Sequence, residues 1–283
     1  MTQDWRALLG SYGAWRSVSM VNPGLARELE QLGYGALWLG GSPGADLRIV
    51  DSLLAATDEL VVATGIVNMW QSDAHEVATS FHRIEAAHPG RFLLGVGIGH
   101  REAIGEYANP YDVSVAYVDA LLGDGVPSTS LVLAALGPKM LRLSADRTAG
   151  AHPYLVTEQY VGQAREILGA GPLLAVEHKV VIDPDPQAAR AIGRSRVRRP
   201  YLGLVNYTAN LRRLGWADQD LADGGSDALI DALVAHGDAA SVAGQLGKFI
   251  EAGADHVCVQ LLHATVEEDP VPGYRQLAAA LSL

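Results

Sequence analysis

The chain has 283 residues, of which 49% are hydrophobic and 19% charged, and a formal net charge of −11. That content supports a sizeable core and excludes a disordered chain, and the acidic balance argues against nonspecific binding to nucleic acid or anionic membranes. One cysteine, Cys258, excludes an intramolecular disulfide framework, and no apolar run approaches the ~20 residues of a membrane span. Strand-like and helix-like patterns then alternate along the chain. Residues 12–16 read as a weak first strand, followed by a helix over about 23–32 that stops at Gly33. A second strand at 36–40 leads to a helix over 47–60, and a third strand at 61–67 to a helix over about 74–87. The fourth strand, 92–98, precedes a helix at 111–122. Strands five and six are expected at 131–135 and 152–157, with a short helix between them starting at Pro138. A helix over 158–168 leads to the seventh strand, 173–182, and a longer helical region runs from 186 to about 214. Two further helices follow, one carrying Leu229, Ile230, Leu233 and Val234, the other Val242, Leu246, Phe249 and Ile250. The eighth strand is 256–262.

Eight strands alternating with helices is the count of a TIM (β/α)8 barrel, and a single domain over 1–283 is expected. An open doubly wound sheet would announce its nucleotide site with a Gly-rich turn after the first strand, and residues 12–21 have none. The start, Met1-Thr-Gln-Asp-Trp5, lacks a basic region followed by an apolar stretch, so a cytoplasmic protein is expected.

The segment 131–157 carries most of the chemical signal. An apolar strand runs into Gly137, where the backbone can turn, and Pro138 suits the first helical position. A helix start just past a strand's carboxyl end aims free N–H groups at an anion, and Lys139 adds charge there. In Gly95-Val-Gly-Ile-Gly99 the small residues let a flat ring approach the backbone, and His100 follows them at the catalytic face. Dinucleotide binding is disfavoured, because the third glycine of that fingerprint is missing. Gly65-Ile66 is where an irregular backbone is most easily accommodated. His75, His82 and His88 match no ligand spacing, so no metal is expected. The chain has no GxSxG elbow, Walker loop or paired Cys motif. Arg194, Arg196, Arg198 and Arg199 form a basic cluster, read either as a solvated helix face or as a contact for an anionic cofactor tail.

Taken together these residues resemble the luciferase-like monooxygenase family, and within it the actinobacterial enzymes that use the deazaflavin coenzyme F420. The most specific stretches are Ala135-Leu-Gly-Pro-Lys-Met-Leu141, Asp146-Arg-Thr-Ala-Gly-Ala-His-Pro-Tyr154, His88-Pro-Gly-Arg-Phe92 and Gly253-Ala-Asp-His256. The resemblance implies a luciferase-like barrel with the (deaza)flavin ring at the carboxyl ends of the strands. It matches Gly65-Ile66 to a non-prolyl cis peptide behind the ring, and Gly97, Gly99 and His100 to the wall after strand four. Ala134, Ala135, Gly137, Pro138 and Lys139 match the turn after strand five, near ring or phosphate, and Gly150, Ala151 and His152 match the entry of strand six. Hydride transfer between F420 and a small organic substrate is the implied reaction, with His100 as proton donor or acceptor. An FMN-dependent monooxygenase and a non-catalytic F420-binding member are the alternatives, and a homodimer is expected by resemblance alone. Two departures stand out. Leu39-Gly-Gly-Ser-Pro43 offers no histidine after strand two, where sugar-phosphate dehydrogenases of the family carry one. Gly123-Asp-Gly-Val-Pro127 leads almost directly into strand five, which implies a trimmed lid.

Overall fold

A computed structural model describes residues 3–99, 109–265 and 267–283. Every strand pairing in it is parallel. The strands are β1 (Tyr12–Ser17), β2 (Ala36–Gly40), β3 (Val61–Thr64), β4 (Val67–Asn68), β5 (Phe92–Gly97), β6 (Leu131–Leu133), β7 (Gly150–Ala151), β8 (Leu173–Ile182), β9 (Val234–Gly237) and β10 (His256–Leu261). Neighbours run β1-β2-β3-β5-β6-β7-β8, and β10 closes the ring by pairing with both β8 and β1. Since β4 continues the line of β3 alongside β5, the closed barrel has eight strand positions, the TIM-barrel arrangement.

Helices cover the outside, so alternate residues of each strand meet two different apolar environments. Leu37 and Leu39 of β2 pack outward with Leu25, Leu53 and Phe81, whereas Ala36 and Trp38 point into the barrel with Val61, Leu93, Ala175 and Cys258. Trp38 fills the centre. Its indole N–H donates to Nε2 of His256 at 3.0 Å, and its ring stacks on His152 with centroids 4.2 Å apart. His256 has room there because Gly13 has no side chain; a Cβ on it would lie 2.7 Å from Nε2 of His256. Among the described residues no helix is long and apolar enough to cross a membrane.

Differences from the sequence reading fall at strand ends. The third strand breaks at Gly65-Ile66, whose peptide bond is cis, and resumes as β4. The second helix runs over Arg48–Leu54 rather than to residue 60. The expected sixth strand lies earlier: Gly150–Ala151 pairs, while 152–157 leaves the ladder after the His152 N–H bonds Leu133 O at 2.8 Å. The helical region after 186 is divided by the cis Arg199-Pro200 bond into helices Pro186–Arg198 and Val205–Arg213. Val234, expected on a helix, instead opens β9, which adds to the outer half of β8 through Lys179↔Val234 to Ile182↔Gly237. Val234 is β-branched and directly follows the helix Asp227–Leu233, so its own preference favours the strand.

Candidate active site

At the carboxyl ends of the strands a cleft of about 590 Å³ opens into the barrel. Its base is built where β3 breaks. The Thr64 hydroxyl donates to Gly95 O at 2.8 Å and accepts from Gly95 N–H at 2.8 Å, which holds the two strands in register up to the break. Beyond it Ile66 and Asn68 face the cleft, and Met69 N–H returns to Gly97 O at 2.9 Å. Gly65 is flanked by two aromatic rings: a Cβ there would lie 2.6 Å from Nε2 of His152 and 3.1 Å from Nε1 of Trp15. Neither of those buried nitrogens has a hydrogen-bond partner among the described residues. The other His152 nitrogen, Nδ1, donates to Ala175 O at 2.9 Å. Burial pushes the His152 imidazole down to about 4, so it is neutral at working pH and offers a bare Nε2 lone pair.

Small residues shape the walls. Gly97 has no room for a side chain, since a Cβ would stand 2.7 Å from the Ala134 methyl and 3.2 Å from Ile66, and one on Gly99 would stand 2.5 Å from the Asn68 amide. Gly41 and Ser42, both at positive φ, carry the chain past the mouth after β2. A Cβ on Gly40 would fall 1.7 Å from Trp15, so the indole lies flat across that strand end. On the opposite side Ala134, Ala135 and Gly137 lead into the helix Pro138–Arg147, whose N-cap Gly137 supplies no capping side chain. The N–H groups of its first turn therefore face the mouth without a side-chain acceptor. The nearest side-chain group to Gly137 is the Arg213 guanidinium, 3.8 Å from where a Cβ would be, tethered to Leu136 O at 3.2 Å and Asn210 Oδ1 at 2.5 Å. Helix dipole and guanidinium converge there on a place suited to a phosphate.

A charged layer lies beneath the remaining wall. Glu177 and Lys179, two residues apart on β8 and so on the same inner face, are both fully buried and paired at 3.0 Å. The second Glu177 oxygen accepts from Leu155 N–H at 2.9 Å, and Lys179 Nζ sits 4.0 Å over the Tyr154 ring. Above this pair Tyr201 donates to the Tyr154 hydroxyl, which donates to Gln260 Oε1, both at 2.9 Å. Burial drives the Tyr154 hydroxyl well up and the Tyr201 hydroxyl up to about 12. Both tyrosines therefore remain protonated donors. Burial also lowers the Lys179 ammonium, against the pull of Glu177, which favours its charged form.

The structure brings Gly65, Ile66, Gly99, Ala134, Ala135, Gly137 and His152 to the cleft, with Gly97 directly behind Ile66 and Ala134. Pro138 occupies the first helical position. Gly150 and Ala151 lie in the wall, paired with β6 and β8, and do not reach the cleft. Lys139 is a correction. One helical step from Met140, which faces the cleft, it turns outward and places Nζ 3.7 Å over the Tyr111 ring. The cation beside Gly137 is Arg213, whose guanidinium stands 3.8 Å from where a Gly137 Cβ would be. His100 lies outside the described residues. Of the basic cluster, Arg194 pairs with Asp227. The sequence reading also missed Glu177, Lys179, Tyr201 and Arg213. A charged pair spaced by two in the apolar run 173–182 is the signal that would have exposed the first two.

A glycine-walled, aromatic-backed cleft at the carboxyl face of a parallel barrel, with an uncapped helix N-terminus at its edge, has the shape and polarity to accept a flat anionic ligand. Residues 21–123 match the family model described as luciferase-like monooxygenase. The chain is thus similar to that family in sequence over this segment, and its fold throughout is that of the solved structures it resembles. No curated protein matches it by sequence. Among solved structures it is similar to an F420-dependent secondary alcohol dehydrogenase in complex with an F420-acetone adduct, with TM-score 0.73, 15% identity, and 96% of this chain and 98% of that one covered. The coenzyme F420 dependent tetrahydromethanopterin reductase from Methanopyrus kandleri superimposes with TM-score 0.70 at 14% identity over the same shares of the two chains. The FMN-bound oxygenating constituent of 3,6-diketocamphane monooxygenase from Pseudomonas putida gives TM-score 0.64 at 15% identity, covering 95% of this chain and 96% of that one.

Proposed function

We propose that the protein is an F420-dependent oxidoreductase acting on a small organic substrate. The observation that carries this reading is the cleft itself. Small residues at 65, 97, 99, 134, 135 and 137 leave a slot for a planar ring, and the uncapped helix start with Arg213 fits the ring's phosphate-bearing side chain. Two orphaned polar atoms, Trp15 Nε1 and His152 Nε2, flank the peptide on which such a ring would rest. When bound, the deazaflavin supplies hydride transfer, and the barrel supplies orientation and exclusion of water. Ile66, Ala134, Met140 and Tyr207 line the cleft and would hold the ring, and the Tyr201-Tyr154-Gln260 chain presents oriented donors at the rim. Lys179 and Glu177 position Tyr154 from below.

An FMN-dependent monooxygenase is the second reading, favoured by the likeness to an FMN-bound structure over nearly the whole chain. Parallel fluorescence titrations with F420 and FMN separate the two. The proposal expects F420 to bind at least about tenfold more tightly, with hydride exchange on an alcohol, aldehyde, imine or enone and no need for oxygen. Tighter FMN binding with oxygen-dependent turnover overturns it. Binding of F420 without exchange on any of these substrates would mark a non-catalytic carrier instead.

A further inference from the structure

A second, smaller pocket of about 130 Å³ opens at the carboxyl ends of β1 and β10 and shares Trp15, Ser17 and Gln260 with the cleft. Its wall contains Arg16, which is only 7% exposed yet has no carboxylate partner among the described residues. The contacts of that guanidinium are marginal: Nη1 donates to Leu261 O at 3.4 Å, Nη2 approaches Met20 Sδ at 4.0 Å, and buried Nε has no partner. Buried charges are ordinarily paired and hydrogen-bonded, and an arginine fork matches the two oxygens of a carboxylate or the face of a tetrahedral oxyanion.

The rest of the pocket has the same character. His263 places Nδ1 3.1 Å from Glu268 and leaves Nε2 buried without a partner among the described residues. Arg196 and Thr265 complete the wall. One arm of the pocket thus follows the barrel's seventh strand and the other its eighth, where barrels commonly gather phosphate ligands. With the ring's phosphate at Gly137 and Arg213 across the cleft, as proposed above, this pocket is left for something else.

We propose that it is an oxyanion subsite for the substrate: Arg16, with Arg196 and His263, holds a carboxylate or sulfonate while the rest of the molecule crosses Gln260 into the cleft. The substrate class is then a small organic acid rather than a neutral alcohol or ketone. This rests on the cleft being the reaction site, but its test does not require any cofactor. Acetate and methanesulfonate are titrated into the cofactor-free chain at constant ionic strength set by chloride, with binding read by calorimetry and by the thermal midpoint. Saturable binding is expected, weakened about tenfold or more in Arg16→Met and severalfold in Arg196→Gln, as the loss of charge-assisted hydrogen bonds requires. The affinities for F420 and FMN, measured separately, are expected to change less than twofold. Absence of saturable binding overturns the proposal. So does an equal loss of F420 or FMN affinity in Arg16→Met, which would assign the pocket to the cofactor's anionic tail. Should Arg16→Met fail to fold, Arg196→Gln and His263→Gln carry the same comparison from less buried positions.

Discussion

The two ends of the barrel treat their polar groups in opposite ways. At the amino ends of the strands Asp255, Glu30 and Arg91 are each consumed by the fold. Asp255 accepts from Arg6 and Arg165, both at 2.7 Å, and from Leu174 N–H at 2.8 Å. Glu30 collects the backbone N–H groups of Asp58, Glu59 and Leu60, which outweigh its burial and hold its carboxyl below the usual range. Arg91 clamps Leu60 O, Thr57 and Leu54 O. At the carboxyl ends, Trp15, Arg16, His152 and His263 each bury a polar atom without a partner among the described residues; the fifth such atom, Nδ1 of His178, lies outside the barrel against Phe249. An unsatisfied buried donor costs about 1–3 kcal/mol, so the end that tolerates several is the end where a ligand completes the hydrogen bonding.

Substitutions can break or sharpen that contrast. The largest effect is expected at the buried pair between the two ends: Lys179→Met leaves Glu177 charged and alone, lowering stability by about 3–5 kcal/mol in denaturant titrations. The double variant with Glu177→Gln should recover much of the loss; no recovery would mean that the pair is not the unit the geometry describes. At the amino end, Asp255→Ala removes acceptors for three donors and should cost about 2 kcal/mol while leaving F420 and FMN affinity unchanged. Arg213→Met is its mirror at the other end, with stability within about 1 kcal/mol of the parent and affinity for the phosphate-bearing cofactor reduced about tenfold.

Acid reports on the barrel interior. His152 and His256 are each pushed down to about 4 by burial, so between pH 6.5 and 4 the unfolded chain takes up protons that the native state refuses. Stability should therefore fall as pH drops through that window, by about 2 kcal/mol per histidine at pH 5. A denaturation midpoint independent of pH from 7 to 5 would contradict the neutral Trp38-centred stack. Smallest of all, Tyr201→Phe deletes one hydroxyl donor to Tyr154 and should cost about 1 kcal/mol, with a larger proportional effect on turnover than on F420 binding.

How much of this was legible in the sequence depends on whether a feature is local. Apolar runs and their Gly and Pro punctuation located seven of the eight barrel positions, because a parallel strand covered on both faces is largely apolar, and placed the sixth, Gly150–Ala151, two residues late. Gly65, Gly97 and Gly137 were readable as places of close approach for the same local reason. Lys139 and Arg213 were not, since helix rotation turns Lys139 onto Tyr111, and Arg213 reaches Leu136 O from the end of a helix distant in sequence. The Glu177–Lys179 pair was visible as spacing, but its meaning depends on Tyr154 and Tyr201, which only the closed barrel brings over it. In sequence Arg16 is only the end of a weak first strand; its burial beside Leu261 depends on β10, which closes the barrel from the far end of the chain.

The ten-residue strand β8 has one more consequence. Its inner half belongs to the barrel and its outer half, from Lys179, is paired with β9, so the excursion 183–233 leaves and re-enters the sheet at adjacent points of one ladder. Tyr201, Asn206, Tyr207 and Arg213 all ride on that excursion. It is therefore a cassette: its length and composition can change between two fixed anchor points while the barrel stays closed. Residues 201–213 in its middle carry both Arg213, beside Gly137, and three residues of the cleft wall, so exchanging the cassette would change both places in a single genetic event.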